Sequence, residues 1–128
     1  MKRNLVARIM FACVAVALIS GLAFAGEKKG PFKFGYTCMD GSNPFFVSIE
    51  KTMREMGEAK GDTLIATDPA NDATLQISQI EDMIAQDIDA IFLNPVDAQG
   101  ILPALDQLKA AGIPIINFDT EVGDLSYV

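Results

Sequence analysis

The sequence predicts an α/β fold built on an open, mostly parallel sheet with helices on both faces, which makes three layers. Strand candidates begin near positions 33, 63, 90 and 113, so one strand–helix unit recurs every 23 to 30 residues. That is the length of a βαβ crossover. Apolar residues recur at helical spacing between the strands. The third and fourth strands are nearly continuous apolar runs, as expected when helices cover both faces of a parallel sheet.

The first unit covers residues 33–61, with a strand at 33–38. Asn43 and Pro44 predict the start of a helix, because Asn caps free N–H groups and Pro fits the first turn. Gly61 suits the left-handed residue that ends a helix. The inward face of this helix carries Phe46, Ile49, Met53 and Met56.

The later units repeat this order of strand and helix. Their strands are predicted at 63–67, 90–93 and 113–118, and residues 125–128 have the pattern of a fifth strand that begins there. Asn71 or Asp72 can cap the second helix, and Asp97 can cap the third. Pro103 indicates that the regular turns of the third helix start near Leu102. The inward faces carry Ala73, Ile77, Ile80 and Ile84 in the second helix, and Ile101, Leu105 and Leu108 in the third.

Residues 1–25 have the pattern of a cleaved secretory signal. A basic start precedes an apolar stretch at 9–19, and residues 23–25 (AFA) form a small-x-small cleavage site. A membrane anchor is the alternative, because residues 9–25 reach the low edge of the length that crosses a bilayer. A lipoprotein attached through Cys13 is less favoured, because little apolar sequence precedes that residue. The expected location is periplasmic or secreted.

Cleavage near Ala25 leaves residues 26–31 as a polar, flexible start and residues 32–128 as one domain. Residues 26–128 hold 7 basic and 17 acidic residues, a balance that argues against nucleic acid as a partner. The chain has no His, which excludes a His-based triad and His metal ligands. Cys38 is then a single cysteine, most simply a buried apolar side chain, so neither a disulfide nor a cysteine zinc cluster is expected. We expect no cofactor and no metal.

Polar side chains follow each predicted strand, at the sheet edge where open α/β sheets bind ligands. The four loops lie at 39–46, 68–72, 94–97 and 119–121, and each carries a carboxylate or a carboxamide. Such groups hold sugar hydroxyls in fixed geometry, and aromatic rings cover the apolar face of a sugar. No basic residue lies in these loops, so they suit a neutral polyol better than a phosphate.

Structural explanations also exist for most of these residues. Asn43 can serve only as a helix cap, Asn94 can belong only to an Asn-Pro turn, and Phe46 has the spacing of a core residue. Phe45 falls outside the inward stripe, which favours exposure, and Asp119 is the least easily explained by structure alone. The other polar residues of these loops, Asp68, Asn71, Asp72 and Asp97, have the pattern of turn and cap residues.

Three segments in order resemble the periplasmic sugar-binding proteins of the ribose-binding type, the substrate receptors of ABC importers. They are residues 43–46 (NPFF), 94–97 (NPVD) and 113–119 (IPIINFD), and the resemblance runs from about 32 to 128. It implies the flavodoxin-like first lobe of a type I periplasmic binding protein, incomplete and stopping before a second lobe. It also implies a monosaccharide or polyol ligand, a membrane permease as partner, and possible contact with a chemoreceptor.

The resemblance also assigns site residues. By match of position, Asn43, Asn94 and Asp119 would bond sugar hydroxyls, while Phe45 and Phe46 would pack on the sugar ring. Two positions depart from ribose-type members of the family. Thr120 stands where those members have Arg, and Met39 stands where they tend to have a small hydroxyl residue. These differences leave the broader pentose, hexose or polyol class open.

Other classes of protein fit the sequence less well. A sugar-sensing lobe of a chemotaxis or autoinducer-binding system shares the expected fold and location. A sugar-responsive repressor would begin with a DNA-binding helix-turn-helix, and the apolar leader occupies that place. A flavodoxin-like enzyme would show a GxGxxG fingerprint or a nucleophile with a base, and residues 39–43 (MDGSN) show neither. We therefore expect a binding protein rather than an enzyme.

Overall fold

The computed structural model describes residues 30–122 of the chain. The predicted signal at 1–25, most of the predicted polar start at 26–31, and the predicted fifth strand at 125–128 lie outside these residues. Cys13 lies outside them as well.

Four parallel strands form the sheet, in the spatial order β2-β1-β3-β4. They are β1 (Lys33–Thr37), β2 (Thr63–Thr67), β3 (Ala90–Leu93) and β4 (Ile115–Asn117). In register, Thr37 of β1 lies beside Thr67 of β2 and Leu93 of β3, and Leu93 lies beside Asn117 of β4. All four strands therefore end at one edge, and the predicted open parallel sheet is confirmed.

The three helices are α1 (Pro44–Glu58), α2 (Ala73–Ala85) and α3 (Leu102–Ala110). Asn43 caps α1, because its side chain accepts a hydrogen bond of 3.0 Å from the backbone N–H of Phe45. Asp72 caps α2 in the same way, through the N–H groups of Thr74 and Leu75. None of the helices within residues 30–122 has the length and apolar character needed to cross a membrane.

The prediction that Asp97 caps α3 is wrong. The residue at the N-cap position is Ile101, and no side chain caps this helix. The Asp97 carboxylate instead accepts hydrogen bonds from the N–H groups of Gln99 and Gly100, so it caps the turn that precedes the helix. Pro103 fits the first turn, and the predicted start near Leu102 is confirmed.

Two strands are shorter than the sequence predicts. The first ends at Thr37 rather than at 38, and the fourth covers Ile115–Asn117 rather than 113–118. Pro114 cannot donate to the ladder, although its carbonyl accepts a bond of 3.0 Å from Ile91. At the other end, Phe118 still donates to the carbonyl of Leu93 at 3.1 Å. The pairing thus extends beyond the regular strand on both sides.

Apolar cores lie on both faces of the sheet, which confirms the three-layer arrangement. On one face α1 covers a cluster of Tyr36, Cys38, Phe46 and Leu64. On the other face α2 and α3 cover a larger cluster that includes Ile80, Met83, Ile91, Leu93, Leu105 and Leu108. Gly35 allows close approach of α2 to β1, because a Cβ there would lie 2.9 Å from side-chain atoms of Met83 and Ile88.

Candidate ligand-binding site

Asn94 lies at the centre of the carboxyl edge of the sheet, directly after β3. It is fully buried and has a complete set of hydrogen bonds. Its Oδ1 accepts a bond of 3.2 Å from the N–H of Met39, and its Nδ2 donates to the carbonyl of Phe118 at 3.3 Å and to Oδ2 of Asp119 at 3.2 Å. Asn94 therefore connects the loops that follow β1, β3 and β4.

Asp119 projects from the edge in a left-handed backbone conformation, with φ of 64°. The residue is exposed, and its Oδ2 accepts the bond from Asn94. Asn117 shapes this loop, because its Nδ2 donates bonds of 2.9 Å to the carbonyls of both Leu93 and Thr120. Asp119 thus presents a carboxylate at a fixed position on the open side of the edge, beside the hydroxyl-bearing Thr120.

The loop after β1 brings Met39 and Asn43 to the same edge. The carbonyl of Met39 accepts a bond of 2.8 Å from the N–H of Asn71, which ties this loop to the loop after β2. Asn43 uses Oδ1 as the helix cap and is exposed. Within residues 30–122 its Nδ2 donates to no protein acceptor. Capping and ligand contact are therefore compatible at this residue.

The two neighbouring phenylalanines have different environments. Phe45 is 54% exposed, whereas Phe46 is 3% exposed and belongs to the core under α1. Their rings meet edge to face with centroids 5.1 Å apart, and Phe46 meets Phe118 in the same way at 6.2 Å. Phe45 therefore offers a free ring surface beside the edge, and Phe46 supports it from below.

The remaining acidic residues of the loops act within the protein. Asp68 accepts bonds from the N–H groups of Gly41 and Ala70, and Asp40 accepts from the N–H and hydroxyl of Ser42. The bonds from Ser42 hold the pKa of Asp40 below its ordinary value. Asp97 accepts hydrogen bonds from the backbone N–H groups of Gly100 and Gln99, and these bonds lower the pKa of its carboxyl in the same way. These carboxylates are therefore used in turns.

Two polar residues near the site were not predicted from the sequence. Gln76 of α2 is fully buried and bonds to Thr37, Asn94 and Val96, and Asn117 lies in the last strand. The sequence does indicate that Gln76 is buried, because a glutamine three residues after Ala73 and four before Ile80 falls on the apolar stripe of the helix. A polar side chain at such a position must find partners inside the fold.

Cavities in the described part of the chain do not enclose the edge. A cleft of about 140 Å³ lies beside it, lined by Tyr36, Cys38, Phe46, Glu50 and Asp68 among others. That volume is below the range of roughly 300–1,000 Å³ typical of small-molecule sites. An apolar groove of about 380 Å³ lies at the other end of the strands, near Phe34 and Leu64. The carboxyl edge is thus one open surface of a site.

Metal binding has no support in the described residues. No group of three or more His, Cys, Asp and Glu side chains between 30 and 122 has the arrangement that could hold an ion. The buried thiol of Cys38, 1% exposed, has a pKa raised by burial, and its prediction as a buried apolar residue is confirmed.

The carboxyl edge thus combines amides, a carboxylate and aromatic rings on an open parallel sheet. The family model described as "Periplasmic binding protein domain" matches residues 34–128. The chain therefore belongs to the periplasmic binding protein domain family, as the three motifs predicted. The family is one of binding proteins of transport systems.

The ribose import binding protein RbsB of Bacillus subtilis is 36% identical over 95 residues, which are 74% of this chain and 31% of that protein. An ABC transporter solute-binding protein from Mycobacterium smegmatis, solved with bound glycerol, superposes with a TM-score of 0.70 at 32% identity, over 74% of this chain and 33% of that one.

A third similar protein is an ABC transporter solute-binding protein from Bacillus halodurans, solved with bound myo-inositol. It superposes with a TM-score of 0.67 at 28% identity, over 77% of this chain and 34% of that one. The type I periplasmic binding protein fold is thereby confirmed. The chain spans about a third of the length of the relatives that it matches.

Proposed function

We propose that this chain forms the first ligand-binding lobe of a periplasmic solute receptor that delivers a sugar or polyol to an ABC importer. The observation that carries the proposal is the Asn94–Asp119 pair at the carboxyl edge, with an exposed carboxylate on a buried, fully bonded amide. Similar proteins with bound glycerol and myo-inositol support a polyhydroxylated ligand.

The chemistry of the edge favours neutral hydroxyl groups. Asp119 keeps one carboxylate oxygen for a ligand, and an ionised acceptor forms hydrogen bonds about twice as strong as a neutral one. Asn43 offers a free amide donor, and Phe45 offers an exposed ring for the C–H face of a sugar. Asn94 is fully buried and both hydrogens of its Nδ2 are used within the protein, so its main part is to hold the neighbouring groups.

The mechanism of such a receptor is binding without bond chemistry. A single open edge supplies one side of a site, and closure of a second surface over it would remove the ligand from water and strengthen each polar contact. Contacts made only in the closed state shift the population toward it. The membrane permease would recognise that closed form, and the periplasm is the compartment that this function requires.

Thr120 and Met39 bear on the choice of ligand. Thr120 stands beside Asp119 and offers a neutral hydroxyl at a position where the resemblance to ribose-type receptors would place Arg. Met39 is partly buried and packs against the core cluster under α1, as Phe118 does. We infer that the ligand class is a pentose, hexose or polyol, and that the hydroxyl next to Asp119 meets a neutral partner rather than a guanidinium.

Isothermal titration calorimetry on the native protein, at the length the cell makes it, tests this function. The panel is D-ribose, D-allose, xylitol and myo-inositol, with D-ribose 5-phosphate as the charged control. We expect at least one neutral compound to bind at micromolar Kd and the phosphate ester to bind more weakly, because the carboxylates repel it. No binding across the panel, or tighter binding of the phosphate ester, would overturn the proposal.

A further inference from the structure

Gln76 is a polar side chain inside the core of the sheet. It comes from the first turns of α2, on the stripe that otherwise packs Ile80 and Met83 against the strands, and it is 0% exposed. Burying an amide without hydrogen-bond partners is unfavourable, because the group loses its bonds to water and gains none in return. A glutamine at this position therefore requires a full set of partners, and the structure supplies them.

The amide of Gln76 reaches the ends of two strands. Its Nε2 donates to Oγ1 of Thr37 at 3.1 Å and to the carbonyl of Asn94 at 3.0 Å, and its Oε1 accepts from the N–H of Val96 at 2.8 Å. Thr37 ends β1, and Asn94 follows β3. Both hydrogens of the amide are used, so Gln76 has one orientation that satisfies all its neighbours.

These bonds fix the segment that carries Asn94. Gln76 binds the carbonyl of Asn94 and the N–H of Val96, on either side of Pro95, which has no N–H of its own. The backbone N–H of Asn94 donates to the carbonyl of Thr37 at 2.9 Å. Hydrogen bonds therefore fix the peptide groups on both sides of the Asn94 Cα. This fixed backbone directs the Asn94 side chain toward Met39 and Asp119.

We propose that Gln76 is a positioning residue of the ligand site, acting through Asn94 without touching the ligand. The proposal rests on the function proposed above. The buried amide of Gln76 fixes the position of the loop after β3 relative to the loop after β1. It thereby also fixes the position of the Asp119 carboxylate. A displaced Asp119 carboxylate would form weaker hydrogen bonds to a ligand, because hydrogen bonds weaken as their distance and angle depart from the preferred range.

The test compares two glutamines of one helix. Gln76→Met keeps the size of the side chain and removes all four of its hydrogen bonds, including the long one of 3.5 Å from Nε2 to the carbonyl of Cys38. Gln79→Met is the matched control, because Gln79 donates to the carbonyl of Asp68 at 3.0 Å, in the loop after β2, and makes no bond to β1 or β3. The native protein is titrated with the compound of the panel that binds it best. We expect a loss of affinity of between about tenfold and a hundredfold for Gln76→Met, the value of one hydrogen bond to a charged group, and a change of less than about threefold for Gln79→Met, since that bond is partly exposed.

A spectroscopic readout separates positioning from general loss of stability. Two-dimensional ¹H–¹⁵N NMR of the protein without ligand reports the side-chain amide of Asn94 and the backbone N–H of Met39. We expect Gln76→Met to shift both signals and Gln79→Met to leave them in place. Thr37→Val, which removes one acceptor and keeps the shape of the side chain, should shift the Asn94 signals in a protein that stays folded.

The outcomes distinguish the two proposals. Absence of binding by the unaltered protein would contradict the proposed function, and the Asn94 signals would still decide the role of Gln76. Wild-type-like affinity with unmoved Asn94 signals in Gln76→Met would overturn the positioning role. If Gln76→Met does not fold, Thr37→Val decides, and unmoved Asn94 signals in that variant would overturn the role equally.

Discussion

Asn94 donates a hydrogen bond of 3.2 Å from Nδ2 to Oδ2 of Asp119, and so joins the loops that follow β3 and β4 across 25 positions of sequence. The acceptor is exposed and the donor is fully buried. The carboxylate is therefore oriented before any ligand arrives, which reduces the ordering cost of binding.

Replacing Asp119 with Asn should weaken ligand binding and leave the fold intact. The substitution removes the charge but keeps the shape, and Asn tolerates the left-handed conformation at φ of 64°. We expect a loss of affinity of about tenfold to a hundredfold, the value of about 1.5–3 kcal/mol for a hydrogen bond to a charged group. Calorimetry measures it, with the exposed Glu121→Gln as the matched loss of charge two residues away. Equal affinities of Asp119→Asn and Glu121→Gln would show that Asp119 is not part of the ligand site.

Phe45 and Phe46 should separate binding from stability. Phe45→Ala removes an exposed ring, so we expect a change in the free energy of unfolding within about 0.5 kcal/mol and a clear loss of affinity. Phe46→Ala opens the core under α1 and should cost about 3–5 kcal/mol. Urea unfolding and calorimetry measure the two effects. Val47→Ala, at a neighbouring exposed position, is the control, and an affinity loss there as large as at Phe45 would contradict a specific ring contact.

Removing the side chain of Asn94 should destabilise the fold more than removing that of Asn43. Asn94→Ala leaves the part-buried N–H of Met39 without its partner and removes one of the two donors to the carbonyl of Phe118, which predicts a loss of about 2–3 kcal/mol. Asn43→Ala removes one exposed cap and should cost about 1 kcal/mol. Both are read from urea unfolding at neutral pH. Equal costs would show that the bonds of Asn94 contribute little to stability.

Alkaline pH should destabilise the fold through Tyr36. Burial, followed by the neighbouring Cys38 and Glu50, raises the pKa of this phenol above its ordinary value of 10.0. Because the folded state holds the proton more tightly than the unfolded chain, the contribution of Tyr36 is complete below about pH 10 and is lost as the pH rises above it.

The test of this pH dependence is Tyr36→Phe. The variant loses the bond from the hydroxyl to the carbonyl of Phe46, so we expect it to be less stable by about 1 kcal/mol at pH 8. Between pH 9 and 12 its free energy of unfolding should fall less steeply than that of the unaltered protein. Parallel curves for the two proteins, measured by urea unfolding at each pH, would show that Tyr36 ionises equally in both states.

Element positions were largely predictable, because the signals that set them are local. The predicted bounds of β2 and β3 match the structure, as do the caps at Asn43 and Asp72. The predictions from the sequence failed where one local pattern fits two structural roles. Asp97 has the pattern of a cap and does cap N–H groups, but those of a turn, and the helix begins five residues later, at Leu102. Ends of strands depend on partners elsewhere in the sheet, which explains the shorter β4.

The sequence by itself determined the order of elements, the open parallel sheet and the loops in which ligand-binding groups should lie. Periodicity, caps and the rule that ligands bind at strand ends are sufficient for these, since each depends on residues close in the chain. The tertiary structure alone decided which of the loop residues are free and which are engaged. The bonds of Asn94 and Gln76 join residues 18 to 55 positions apart, and no local pattern specifies such partners. Burial then makes those bonds obligatory, because a polar group out of contact with water must be paired within the protein.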